Sequence, residues 1–227
     1  DVDGDGVPDL FVTATAKNHL LQGQADGSFV DVSAATSANT LGFPEDMGWG
    51  STLEDINNDG LTDILLARGD LWYDQFTVRF ESPVDLLIQG EDGRFSDEGA
   101  AFGLPREGSW RGVLARDLNA DGVLDLVLHD VEEPPQVLLS EGCIAPAWLA
   151  VDVPAGSRVR LETASGSQVR WPGYHPGYGA TQPPRAWFGL GTDTVVKRLE
   201  VRLLDGTEHI LYGPIDARRV ISIDEGR

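Results

Sequence analysis

The chain has 227 residues and a formal net charge of −20, long enough for one or two domains and too acidic to favour the phosphates of nucleic acid. No run of about 18 apolar residues is present to span a membrane, and a single cysteine, Cys143, excludes an intrachain disulfide. The charge is uneven: residues 1–142 hold 28 acids and 7 bases, residues 143–227 hold 9 and 10, and this step predicts two domains with those limits.

In chain order, the sequence opens on Asp1-Val2-Asp3-Gly4-Asp5-Gly6-Val7-Pro8-Asp9. A short strand is predicted over 10–14 and another over 19–23, followed by an Asp26-Gly27 hairpin turn toward Phe29. A glycine-containing strand over 48–54 then leads into a second copy, Asp55-Ile56-Asn57-Asn58-Asp59-Gly60-Leu61-Thr62-Asp63, with strands over 64–68 and 85–90 and a turn at Asp92-Gly93. An insert between Asp70 and Pro83, carrying Trp72, Tyr73 and Phe76, separates those two strands. A lead-in strand over 109–116 introduces the third copy, Asp117-Leu118-Asn119-Ala120-Asp121-Gly122-Val123-Leu124-Asp125, with strands over 126–129 and 136–140. The copies lie 54 and 62 residues apart, and each complete unit reads as four short antiparallel strands, the content of one propeller blade. Beyond Cys143 the pattern changes to six strand-like segments, over 148–153, 157–162, 168–171, 199–203, 208–212 and 219–223. No helical period is found, so the fold class is all-β: a partial β-propeller followed by a small β-sandwich.

The nine-residue phrase places oxygen-bearing side chains at positions 1, 3, 5 and 9 and glycine at position 6. Alternate residues of a tight turn point their oxygens inward together, which suits calcium, a hard cation with six to eight oxygen ligands in flexible geometry. The expected ligands are Asp1, Asp3, Asp5 and Asp9; Asp55, Asn57, Asp59 and Asp63; and Asp117, Asn119, Asp121 and Asp125, with the carbonyls of Val7, Leu61 and Val123 at position 7. Up to three Ca²⁺ ions are expected, with magnesium the second choice. An EF-hand is excluded, because it needs flanking helices and a glutamate at position 12, where this chain has Val12, Leu66 and Leu128. Loop 1, with four carboxylates, is expected to bind most tightly once a lead-in strand holds it.

These loops, with the Gly48-Trp49-Gly50 lead-in and the Asp-Gly-x-Phe hairpins, resemble FG-GAP/VCBS repeats, the calcium-bearing blades of integrin-α-like propellers. The tail is similar to the ASPIC/UnbV module that follows such repeats in cartilage-acidic-protein-like proteins. Its matching marks are Gly177-Tyr178-Gly179, Phe188-Gly189-Leu190-Gly191, and Leu199 to Arg202 followed by Asp205-Gly206. Leu203-Leu204 departs from the Trp-Pro usual before that Asp-Gly pair. The resemblance implies a secreted scaffold or adhesion protein without an established catalytic site.

No catalytic constellation competes with this reading. His19, His129, His175 and His209 are scattered, no Gly-x-Ser-x-Gly elbow exists, and the clustered carboxylates fall almost entirely in the loops. The expectation is therefore a calcium-binding, non-enzymatic extracellular or periplasmic scaffold with a protein or glycan partner. The alternative is an accessory or recognition subunit of a larger surface assembly or polysaccharide-processing complex. Two and a half blades do not close a ring of ~4–8, and the opening on a first ligand position reads as a piece of a longer chain, completed by further N-terminal blades or other subunits. Residues 171–184, rich in aromatics and turn formers, are expected to be a rigid connection whose rings cover the sandwich edge, with a contact loop for a partner as the alternative.

Overall fold

The structure, a computed structural model, describes residues 1–39, 46–70, 82–140, 146–173 and 177–224. Most of the predicted insert, with Trp72, Tyr73 and Phe76, lies outside the described residues, as do Cys143, Tyr174 and His175. The predicted boundary at 142/143 falls there too.

Three antiparallel sheets follow one another in the first part. β1 (Leu10–Val12), β2 (His19–Gly23) and β3 (Phe29–Asp31) form the first, and a single turn of helix, α1 (Ser33–Thr36), follows it. The second is a complete four-stranded meander of β4 (Asp46–Glu54), β5 (Asp63–Asp70), β6 (Val84–Gln89) and β7 (Phe95–Asp97). The third contains β8 (Trp110–Arg116), β9 (Asp125–Asp130) and β10 (Gln136–Leu138). Loop 2 thus joins β4 to β5, loop 3 joins β8 to β9, and loop 1 leads into β1. Among the described residues none of these sheets closes on itself. The helix was not expected, because four residues carry no 3.6-residue period to read.

Alternation along β5 assigns its faces. Ile64 joins Leu20, Leu87 and Phe95 in a cluster shared with the first sheet. Leu65 and Ala67 join Leu86, Trp110, Val113 and Leu128 in a cluster shared with the third. The second sheet is therefore covered on both sides, so its central strand reads as an unbroken apolar run instead of an alternation. Each of the fully buried residues Ile64, Leu65 and Leu66 contributes about 1.5–3 kcal/mol of burial.

The tail forms two more sheets, in strand order β14-β11-β17 and β13-β12-β15-β16: β11 (Ala147–Asp152), β12 (Arg158–Glu162), β13 (Ser167–Arg170), β14 (Arg185–Gly191), β15 (Val195–Arg202), β16 (Glu208–Asp216) and β17 (Arg219–Ser222). They enclose one cluster that includes Leu149, Val151, Val159, Leu161, Phe188 and Val201. Among the described residues the tail holds seven strands, not the six predicted; the additional one is β14. Its neighbours in sequence are Pro183 and Pro184, and its centre is buried on both faces, so neither alternation nor a clean boundary marks it. Phe188 of β14 points into the tail's own cluster, whereas Trp187, with Trp148 and Ala150 of β11, joins the cluster of the second and third sheets.

Within the aromatic connection, Tyr178 packs on Trp49 of β4, ring centroids 5.2 Å apart, a contact with the first part of the chain. Arg111 lies 4.1 Å over the Trp49 ring, so this half-buried indole offers both an aromatic and a cation–π partner.

Candidate metal centre

The three Asp-rich loops share one hydrogen-bond network. The position-1 carboxylate accepts from the position-6 N–H: Gly6 to Asp1 at 3.2 Å, Gly60 to Asp55 at 2.8 Å and Gly122 to Asp117 at 3.0 Å. The position-3 oxygen accepts from the position-5 N–H in Asp3, Asn57 and Asn119 at 3.1, 3.0 and 3.1 Å. Position 5 accepts from position 7, where the Val7, Leu61 and Val123 amides donate at 2.7, 2.8 and 2.9 Å. Position 9 staples the loop to its sheet. One oxygen of Asp9, Asp63 and Asp125 takes the position-2 amide, from Val2, Ile56 and Leu118 at 2.6, 2.9 and 2.8 Å. The other takes the amide of Gly23, Gln89 or Ser140 at 2.8, 3.0 and 2.8 Å.

This wrapping requires a left-handed backbone at two positions. Gly6, Gly60 and Gly122 have φ of 87°, 98° and 88°, and at position 4 Gly4, Asn58 and Ala120 have 74°, 61° and 63°. Alanine there bears the left-handed cost of ~1–2 kcal/mol, of which ~0.4–1 is offset by its smaller unfolded-state entropy. Ala120→Gly, at an exposed position, is therefore expected to stabilise the chain by about 0.5 kcal/mol, read from the midpoint of urea unfolding.

The oxygen sets fit a hard cation to different degrees. Ligand atoms of Asp1, Asp3 and Asp9 lie within 4.8 Å of one another, close to twice a Ca–O distance of ~2.3–2.6 Å, a spacing that suits a group shared by one ion. The side-chain amide of Gln22 donates to the second oxygen of Asp3. A cavity of about 650 Å³ opens beside this loop, bounded among others by Gln89, Glu91 and Arg170. In loop 3, Asp117 Oδ1 is buried without a hydrogen-bond partner among the described residues, a costly arrangement for a carboxylate oxygen unless a cation completes it. In loop 2, Asp55 and Asp63 are wholly buried. Burial pushes Asp55 up to about 6 and Asp63 up to about 7, opposed by Arg170 for Asp55 and by the donated amides for both. Burial also lifts neighbouring Glu54 to about 8 and lowers the pKa of Arg170, which faces all three acids. The exposed members of the predicted sets are Asp3, Asp5, Asp59, Asn119 and Asp121.

Two buried amides absent from the predicted ligand sets tie the loops together. The Gln89 side chain accepts from the Thr62 amide at 3.2 Å and donates to the Val2 carbonyl at 3.0 Å, linking loop 2 to loop 1. Asn58 donates to the Gly122 carbonyl of loop 3 at 2.9 Å and accepts from the Trp187 indole N–H of the tail at 2.7 Å. The Gly191 amide adds a bond to the Asn58 carbonyl at 3.0 Å, and the Gly189 amide donates to Asp55 Oδ2 at 2.9 Å. The signal for Asn58 was available at position 4, since asparagine is the side chain that best tolerates left-handed φ. Gln89 carried none.

Residues 1–66 match the profile of the FG-GAP-like repeat, and residues 153–227 match that of ASPIC and UnbV. Cartilage acidic protein 1 of Homo sapiens is 27% identical over 251 aligned residues, covering 83% of this chain and 37% of that protein. The protein of the same name from Mus musculus is also 27% identical over 251 residues, covering 83% of this chain and 38% of its own length. The chain thus spans well under half the length of these distant homologues. The resemblance carried by the Asp loops and the Gly-rich tail marks is met in both parts of the chain.

Proposed function

We propose that this chain, in which an FG-GAP-like repeat precedes an ASPIC and UnbV module, is a calcium-stabilised, non-catalytic scaffold or adhesion protein that acts outside the cell. The three sheets of its first part are read as successive propeller blades and residues 143–227 as a separate sandwich domain. The observation that carries this reading is the threefold hydrogen-bond network. It turns one oxygen of each position-3 and -5 side chain, one oxygen of Asp117 and both oxygens of Asp1 and Asp55 toward backbone amides, and presents the same oxygen-rich loop at the same place in each sheet. Asp1, Asp3, Asp5 and Asp9 would hold one ion, Asp55, Asn57, Asp59 and Asp63 a second, and Asp117, Asn119, Asp121 and Asp125 a third, with the carbonyls of Val7, Leu61 and Val123. A bound ion would neutralise carboxylates that repel one another and fix the turn between strands. The distant similarity to cartilage acidic protein 1 supports an extracellular setting, where millimolar calcium suits loops of modest affinity.

Calorimetric titration of the metal-stripped chain with calcium is expected to show up to three sites, and Asp117→Asn to remove one of them. Absence of heat at millimolar calcium would overturn the reading.

A second reading, a recognition subunit within a larger surface assembly, is favoured by one observation. Val137 and Leu139, in and just beyond the edge strand β10, are each 54% exposed. An exposed apolar edge invites another strand. Light scattering that shows a stable monomer with no self-association at high concentration would remove it.

A further inference from the structure

We propose that cation occupancy of loop 2 and docking of the tail sheet are thermodynamically coupled through Asp55 and Asn58, so that the tail docks firmly only on an occupied loop. This rests on the cation reading of the loops. Asp55 is the first ligand position of loop 2, and its Oδ2 is shared: it accepts from Gly60 inside the loop at 2.8 Å and from Gly189 of β14 at 2.9 Å. The orientation that serves the loop is the one that serves the tail. Three residues on, Asn58 offers its carbonyl to the Gly191 amide and its side-chain oxygen to the Trp187 indole. The same side chain donates to Gly122, whose amide is held by Asp117, so loop 3 belongs to the same unit.

The seam has no slack. A Cβ built on Gly189 would stand 2.1 Å from Asp55 Oδ2 and 2.4 Å from the Asn58 backbone. Emptying the loop leaves Asp55, Asp59 and Asp63 to repel one another, two of them wholly buried. The loop relieves that repulsion by opening, and opening displaces the atoms that the tail holds. By reciprocity, a docked tail pre-organises the loop and raises its affinity by the same factor. Arg170 acts in the opposite sense, since its charge faces Glu54, Asp55 and Asp63 and disfavours a second cation. Its charge acts through space and is spread over three carboxylates, whereas β14 holds the loop by direct bonds at 2.7 to 3.0 Å. The contacts therefore set the sign.

The test uses the whole chain and two substitutions at the seam. Gly189→Ala adds one methyl group to a strand position, and Asn58→Gly keeps the left-handed backbone while removing the side-chain bonds. In each, calcium titration is expected to show one site weakened by roughly tenfold, within the ~5–150-fold span of typical couplings, while loop 1 keeps its affinity. In the unaltered chain, hydrogen exchange of the Gly189 and Gly191 amides is expected to accelerate when EDTA replaces calcium, a readout that does not depend on either variant folding. Calcium bound with unchanged affinities in all three proteins, together with exchange indifferent to calcium, would overturn the coupling and leave the cation reading standing. No calcium bound to any of them would overturn both.

Discussion

In calcium the chain is expected to melt roughly 10–30 °C above its temperature in EDTA. A loop with the affinity of extracellular calcium modules, Kd ~10⁻⁴–10⁻³ M, gains about 1.4–2.7 kcal/mol at ~10 mM free ion, and three loops gain about 4–8 kcal/mol. For a chain of this size each kcal/mol moves Tm by roughly 2–4 °C. The gain is large because the loops are not peripheral to the fold. Asp63 and Asp125 pin the ends of β6 and of the third sheet through the Gln89 and Ser140 amides, so a loop that opens releases a strand end as well. Magnesium is expected to do less at equal concentration, because it demands a stricter octahedron and parts with water reluctantly. Differential scanning calorimetry in calcium, magnesium and EDTA measures all three states. A calcium shift below about 2 °C would remove the metal from the account.

The loops were legible because their chemistry is local. Nine residues carry the donors, the left-handed glycine and the staple, so the spacing of Asp55, Asn57, Asp59, Gly60 and Asp63 predicts the turn without reference to anything distant. The flanking strands were legible for the same reason, and β2 and β4 fall within two residues of their expected ends. Legibility fails where a residue answers to two partners at once. β14 packs Trp187 on one cluster and Phe188 on another, and a strand covered on both faces has no alternation to show. Gln89 sits at the end of β6 like any polar strand terminus, yet it is 5% exposed because it bridges two loops that lie far apart in sequence. The charge step at residue 142 predicts two domains, and charge density does not report the apolar seam made by Trp148, Ala150 and Trp187.

That seam bears the second large effect. Trp187→Ala is expected to destabilise the chain by about 4 kcal/mol, in the range of ~3–5 kcal/mol for aromatic truncation in a core. Trp187 is 2% exposed, stacked on Trp148 at 4.7 Å with the planes 9° apart, and its indole N–H satisfies Asn58. Removing it leaves a cavity where β14 faces the second and third sheets, and strands the Asn58 oxygen, adding ~1–3 kcal/mol of unpaired polar burial unless water enters. The loss should appear as one cooperative unfolding transition at lower urea, because the same cluster holds Leu65, Trp110 and Leu128 from the other side. Tyr212→Ala, at a ring 74% exposed on β16, should stay within about 0.5 kcal/mol and serves as the control. If Trp187→Ala instead separates unfolding into two transitions with the first part unchanged, the tail is a docked neighbour. A single shifted transition makes it a structural layer of the same core, and the Asp-rich loops beneath it then share the stability of the whole chain.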